Sequence, residues 1–447
     1  MKRRTLLAGS AVLAAAPAGM LRPAAAQGAK TPIVFWHAMS GALGEQVNKL
    51  ATGFNASQTV YEVQPIFKGT YPETLTAAIA AWRAGQAPHL VQMFEVGTGS
   101  MLAAGPAVKQ VWQLIADTGV KIDPQAFIPA VRGYYSLPDG RLASMPFNSS
   151  TAVMWYNKDA FEKAGLDPEK PPATWPDLLA AAQAIKAKNA AAIPMTSSWL
   201  VWIQLEQYCA IHNIPYATKA NGFEGLDTEL LINKPEVVKA VQRLLDMNKD
   251  GTFKYTGRDN APDPLFPSGD AAIAFNSSGN RGDISRSAKF KWAEAFLPYD
   301  PEVIKEPINS IIGGASLWTM TTPNRKPEEY KGAAEFLAFI AQPENVAAWH
   351  QNTGYVPVTF AGYELSKQQG FYQKNPGADL PILQLARGKM TDNSRGFRLG
   401  RMAEIRNITY EEIEKALQGQ QTAQAAMDSA VTRGNRVLRD FEKSART

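Results

Sequence analysis

The chain has almost no cysteine: its 447 residues include one, Cys209. A lone thiol excludes an intramolecular disulfide, so stability must come from packed cores. A catalytic thiol would need a base beside it, and His212 is three residues on. Tyr208, Ala210 and Ile211 instead surround Cys209 with apolar and aromatic character, which points to a core residue. Histidine is scarce as well. His37, His89, His212 and His350 show no metal-ligand spacing, and H-E-x-x-H, G-x-S-x-G and phosphate-loop patterns are missing. The expectation is a protein without metal, cofactor or enzymatic activity. Beyond Ala26 no apolar run is long enough to span a bilayer. A clustered basic face is also lacking. The formal charge of +5 falls to +1 without Lys2, Arg3, Arg4 and Arg22, so no nucleic-acid partner is expected.

The N-terminus carries what the rest lacks. Lys2, Arg3 and Arg4 precede an Ala-rich apolar stretch, and Pro23-Ala24-Ala25-Ala26 offers small residues for cleavage after Ala26. This order reads as a secretory signal peptide over 1–26, with the periplasm as destination. The adjacent Arg3 and Arg4 leave the twin-arginine route open. Pro17 and Gly19 break the apolar stretch and argue against a membrane anchor. The remainder, roughly 420 residues, suggests two domains of comparable size.

Strand and helix patterns alternate from Pro32 onward. Pro32–Trp36, Val60–Phe67 and His89–Phe94 read as strands. Leu43, Val47, Leu50 and Phe54 mark one helix, and Leu75, Ile79 and Trp82 the apolar face of another. That alternation predicts an α/β layer with a mainly parallel sheet. A second unit begins near Pro146, with a strand over Ala152–Tyr156 and a helix capped by Thr174. Ala271–Phe275 and Ile311–Trp318 read as strands. Met427, Val431, Leu438 and Phe441 share a face of the last helix.

Small polar residues and glycines gather at strand ends: Asn148-Ser149-Ser150-Thr151, Asn276-Ser277-Ser278-Gly279 and Gly313-Gly314-Ala315-Ser316. Hydroxyls and free backbone N–H groups there can hold a phosphate, although such sequences also make ordinary turns. Arg398 stands in Gly396-Phe397-Arg398-Leu399-Gly400. A guanidinium can grip phosphate with two parallel hydrogen bonds, or it can simply be solvated. Tyr71, Trp199, Trp202 and Tyr355 are aromatic candidates for a pocket, with core packing as the alternative for Trp202. Glu95 follows a strand, where it could accept from sugar-like hydroxyls or stand exposed at a helix start.

Several segments are recognisable together: Phe35-Trp36-His37, Lys68-Gly69-Thr70-Tyr71, Phe94-Glu95-Val96-Gly97-Thr98, Pro146 to Thr151, Tyr156-Asn157-Lys158-Asp159, Trp202 to Glu206, Ile311 to Trp318, His350 to Tyr355 and Phe397 to Gly400. The chain resembles family 1 extracellular solute-binding proteins over nearly its whole length. The resemblance implies an α/β fold of two lobes, each a mixed sheet flanked by helices, with the ligand cleft between them. It places the first lobe at 27–147 and 310–357 and the second at 148–309 and 358–447. It implies a monomer that hands a small phosphate-containing ligand to an ABC permease in the inner membrane. That ligand would be sn-glycerol 3-phosphate or a glycerophosphodiester such as glycerophosphocholine. Tyr71 and Glu95 would approach the glycerol hydroxyls. Ser149, Ser150, Ser277, Gly314, Tyr355 and Arg398 would complete the pocket, with Trp199 and Trp202 as walls. Leu200 and Val201 stand where the family often has glycine, which bears on room for a head group. A sugar or polyol ligand is the nearest alternative, and a secreted glycerophosphodiester hydrolase the distant one.

Overall fold

Two sheets organise the chain in the computed structural model, which describes residues 29–446. The expected signal peptide lies outside the described residues. Ten strands run in chain order: β1 Thr31–His37, β2 Tyr61–Phe67, β3 Leu90–Phe94, β4 Val108–Lys109, β5 Met145–Ser150, β6 Ala152–Asn157, β7 Ile193–Ser197, β8 Ala271–Ser277, β9 Trp292–Ala295 and β10 Gly313–Met320. The first sheet has the order β2-β1-β3-β10-β4, with β5 also paired to β10. The second has the order β7-β8-β6-β9.

The alternating start of the chain gives the expected parallel pairs, β1 with β2 and β1 with β3. The returning strand β10 pairs antiparallel with β3, β4 and β5, so the sheet is mixed. Every residue of β3, β5, β6 and β7 is buried, the inner strands β3 and β6 and the terminal strands β5 and β7 alike. Buried Gln92 and Asn148 interrupt this apolar pattern, and both serve the site described below.

Local capping chemistry sets the helix starts. Thr70 and Glu73 form a reciprocal capping box ahead of helix Tyr71–Arg83. Asn157 accepts from the Ala160 N–H, and Thr174 accepts from the Asp177 N–H at 3.3 Å. One helix face differs from expectation. Thr74 and Ala78 are buried on helix Tyr71–Arg83, whereas Ile79 is 44 % exposed. This helix packs directly on β3, where small side chains permit close approach.

The sequence-based boundary at 147 falls inside β5, whose pairing with β10 continues to Ser150. Only Thr151 separates β5 from β6, so one extended ribbon passes from the first sheet into the second there. Thr151 Oγ1 bonds Ser310 Oγ at 2.7 Å and the Ile311 carbonyl at 2.9 Å, tying two inter-sheet segments together. Gln207 holds the same segment through both the N–H and the carbonyl of Ile311. The C-terminal helices Met402–Leu417 and Ala423–Arg446 pack against helix Pro235–Asp250 on the second-sheet side. Cys209 is buried in that core, and burial pushes its thiol pKa up.

Candidate functional site

A cavity opens between the carboxyl ends of the strands of both sheets. Residues at or just beyond the ends of β1, β2, β3, β5, β7 and β8 line it, as does Gly314 at the start of β10. That position is where open α/β sheets place ligands, because loops there can present side chains without interrupting the ladder.

Tyr71 is held by a relay that begins in the first sheet. Gln92 Oε1 accepts from the Ala38 N–H, Gln92 Nε2 donates to Asn148 Oδ1, and Asn148 Nδ2 donates to the Tyr71 hydroxyl, each at 2.8 Å. Because the Tyr71 oxygen already accepts, its proton is directed elsewhere. Burial raises the pKa of Tyr71, and it raises that of Tyr355 to about 12, so both phenols are neutral donors. Tyr355 reaches its place because Gly279 lies under its ring. A Cβ at residue 279 would come within 2.8 Å of Tyr355 Cζ. Gly314 has φ +89°, and a Cβ there would strike the Asn148 carbonyl oxygen at 1.8 Å. Only glycine fits this seam between β5 and β10.

Two tryptophans wall the second-sheet side. Trp199 follows β7 with φ +47°, a left-handed conformation that a bulky residue rarely adopts. Its N–H donates to the Asp259 carbonyl at 2.7 Å, and its ring centroid is 6.5 Å from that of Tyr71. Trp202 opens a π-helical turn, Trp202–Gln207, a geometry frequent at functional sites. Its Nε1–H has no protein partner, and its ring covers Gly313. Leu200 and Val201 turn into the core and do not line the cavity, so their bulk takes no room from a head group.

Arg406 on helix Met402–Leu417 is the one lysine or arginine among the described residues lining the cavity. It bonds Glu206 through Nε and Nη2 and Glu95 through Nη2, all at 2.6 Å. Burial opposes its charge, but Glu206 and Glu95 outweigh burial and raise its pKa. Burial likewise raises the Glu95 carboxyl pKa, with Arg406 pulling it back. One guanidinium therefore faces two carboxylates.

Of the residues expected from sequence, Tyr71, Glu95, Ser150, Trp199, Trp202, Ser277, Gly314 and Tyr355 come together around this cavity. Ser149 and Arg398 do not. Successive strand residues face opposite sides, so Ser150 reaches the cavity while the Ser149 hydroxyl is buried without a partner. Arg398 lies elsewhere: its Nη2 donates to the carbonyls of Tyr134 and Ser136, and its guanidinium sits 4.7 Å over the Phe223 ring. The flanking glycines serve packing, with Gly396 against Tyr134 and Gly400 against Phe441. Arg398, expected at the phosphate, thus lies outside the cavity, and the guanidinium in the lining is that of Arg406, eight residues on. Sequence reading also missed Asn148 as the support of Tyr71, and Asn260, Asp263 and Asn280 in the lining.

Two α/β sheets with polar groups converging from both onto one cleft define a solute-binding protein of the two-lobed type. Residues 49–379 match the bacterial extracellular solute-binding protein family, and the chain belongs to that family. It is 48 % identical over 435 residues, 97 % of either chain, to the sn-glycerol-3-phosphate-binding periplasmic protein UgpB of Pectobacterium atrosepticum. It is 47 % identical over 420 residues to the protein of the same name from Escherichia coli K12, covering 94 % of this chain and 95 % of that one. Among solved structures it superposes on UgpB from Mycobacterium tuberculosis in complex with glycerophosphocholine, with TM-score 0.77 and 22 % identity over 92 % of this chain and 99 % of that one. The cyclic α-maltosyl-1,6-maltose binding protein of Arthrobacter globiformis superposes with TM-score 0.70 and 22 % identity, over 92 % and 100 %.

Proposed function

We propose that this protein is the substrate-binding subunit of an ABC importer and captures sn-glycerol 3-phosphate or a glycerophosphodiester. The observation that carries this reading is the convergence of Tyr71, Ser150, Ser277, Tyr355, Gly314 and Arg406 on one cavity. The near full-length likeness to sn-glycerol-3-phosphate-binding proteins supports it. Neutral hydroxyls and one guanidinium are the donors a buried phosphate requires, since burying that charge without partners is prohibitive. Glu95 accepts from the glycerol hydroxyls, and Trp199 and Trp202 cover the ligand. The protein binds and releases its ligand unchanged, works as a monomer in the periplasm, and presents its closed form to a membrane permease.

Closure follows from the site being split. The lobes are residues 29–150 with 313–357, and 152–309 with 358–446. Tyr71, Glu95, Ser150, Gly314 and Tyr355 belong to the first, and Trp199, Trp202, Ser277 and Arg406 to the second. A ligand touching both sets favours the closed state because only there does it make all its contacts. Calorimetric titration with sn-glycerol 3-phosphate, glycerophosphocholine and maltose tests the reading. Binding of either phosphate compound without turnover is expected. A response to maltose alone would move the ligand to the carbohydrate class.

A further inference from the structure

The charge balance of the cleft is unusual for a phosphate site. Its single arginine, Arg406, is already shared by Glu95 and Glu206, both buried. A third carboxylate, Asp263, lines the same cavity. It opens a short 3-10 turn, Asp263–Leu265, with Pro262 and Pro264 on either side to fix the backbone. Burial raises its pKa to about 6, against which its Oδ1 accepts from Asn276 Nδ2 at 2.9 Å and hydrogen bonds from Ser198 and Asn280 favour the charged form. These three partners are all neutral. Among the described residues no lysine, arginine or histidine forms an ion pair with it. Asp263 nevertheless keeps part of its surface open to the cavity.

Glu95 already supplies an acceptor for the glycerol hydroxyls, and the phosphate has no use for a second carboxylate. A fixed carboxylate near a phosphate dianion is repulsive, and more so in a partly buried site than in water. The Asp263 charge adds to burial in keeping Tyr355 protonated, so its field reaches the residues proposed to hold phosphate. The same wall presents Trp199 and Trp202, whose ring faces attract cations. A ligand carrying its own positive charge would answer both features: it would pair the orphan carboxylate and bring phosphate with no net negative charge. We infer that Asp263 is a specificity-determining residue that selects zwitterionic glycerophosphodiesters, those with an ammonium head group, over the dianionic monoester. This inference rests on the function proposed above.

The test is calorimetry at neutral pH and low salt with glycerophosphocholine, glycerophosphoethanolamine and sn-glycerol 3-phosphate. Wild type, Asp263→Asn and Asp263→Glu are compared, with thermal melting to confirm folding. Loss of a charge partner predicts roughly tenfold or more weaker binding of both ammonium ligands to Asp263→Asn, with monoester binding unchanged or tighter. Asp263→Glu should restore the wild-type order of preference. An equal loss for all three ligands would make Asp263 merely structural and overturn the inference, and so would no change in their ratio. Wild-type protein that binds none of the three would defeat the functional reading itself, a result distinct from binding with an unchanged ratio.

Discussion

Glu95 and Arg406 meet at 2.6 Å although 311 residues separate them in the chain. Glu95 immediately follows β3 of the first sheet, and Arg406 lies on helix Met402–Leu417 against the second. Their contact spans the cleft, so the pair links closure to the electrostatics of the pocket. Glu206 anchors Arg406 from its own side, so on the closure proposed above the guanidinium keeps a partner in the open state.

Arg406→Ala should therefore damage both stability and binding. It strands two buried carboxylates, at a cost of roughly 3–5 kcal/mol, and weakens phosphate-ligand affinity by about 100-fold or more. Arg398→Ala removes bonds to the Tyr134 and Ser136 carbonyls. It should lower the melting temperature yet weaken affinity by less than about tenfold, the size of one lost hydrogen bond. Melting curves and calorimetry on the two variants separate the roles. Equal affinity losses would contradict the assignment of Arg406.

Tyr71→Phe deletes the donor that Asn148 orients. A loss of about 1–2 kcal/mol in binding is expected, roughly a tenfold rise in Kd, with a small change in melting temperature. Asn148→Ala should reproduce part of the loss without touching ligand. A double-mutant cycle measures the coupling, and strictly additive losses would show that the relay does not position Tyr71.

Trp199→Gly removes a side chain from the cleft and a left-handed strain from the backbone. Relief of that strain offsets the added flexibility of glycine, so folding stability should stay within about 1 kcal/mol of wild type. Ligand affinity should fall by roughly tenfold or more as the aromatic wall is lost. Trp155, fully buried in β6, gives the contrast. Trp155→Ala should cost about 3–5 kcal/mol of stability through the cavity it leaves. Chemical denaturation compares the two.

Glu294 in β9 provides a pH test away from the cleft. It is buried beside Arg281, and burial, opposed by that guanidinium, raises its carboxyl from 4.5 to about 7. Between pH 4.5 and 7 the folded chain holds this proton more tightly than the unfolded chain does. Its contribution is thus fully present below pH 4.5 and is lost as pH rises through about 7, on the order of 3 kcal/mol in all. Glu294→Gln should flatten the fall of melting temperature with pH across that window. An unchanged slope would place the titration elsewhere.

Much of this architecture was legible because strand and helix periods are local. β1, β3, β6 and the helix capped by Thr174 follow directly from runs of apolar residues and caps. The Ser and Gly clusters at strand ends marked the cavity floor for the same reason. Arg406 was hidden by its setting. It sits in the amphipathic pattern of Met402, Ile405, Thr409 and Ile413, where a lone arginine resembles a solvated helix position. Its available signal was phase, since Arg406 falls on the buried side of that helix beside Ile405. Arg398 attracted notice through neighbouring glycines that in fact admit aromatic rings from distant segments. Asp263 lies in an irregular Pro-rich loop with no period at all, so only tertiary placement brings it to the ligand space.

Strand β10 carries an implication for how the molecule is made. It occupies the interior of the first sheet, between β3 and β4, yet spans Gly313–Met320. The segments that precede it cannot complete their sheet, and β3 keeps an open edge until residue 320 of 447 is available. Folding is therefore deferred by long-range pairing, since the logarithm of the folding rate falls as contacts become more distant in sequence. Until that strand arrives, the first half of the chain has no finished sheet to become.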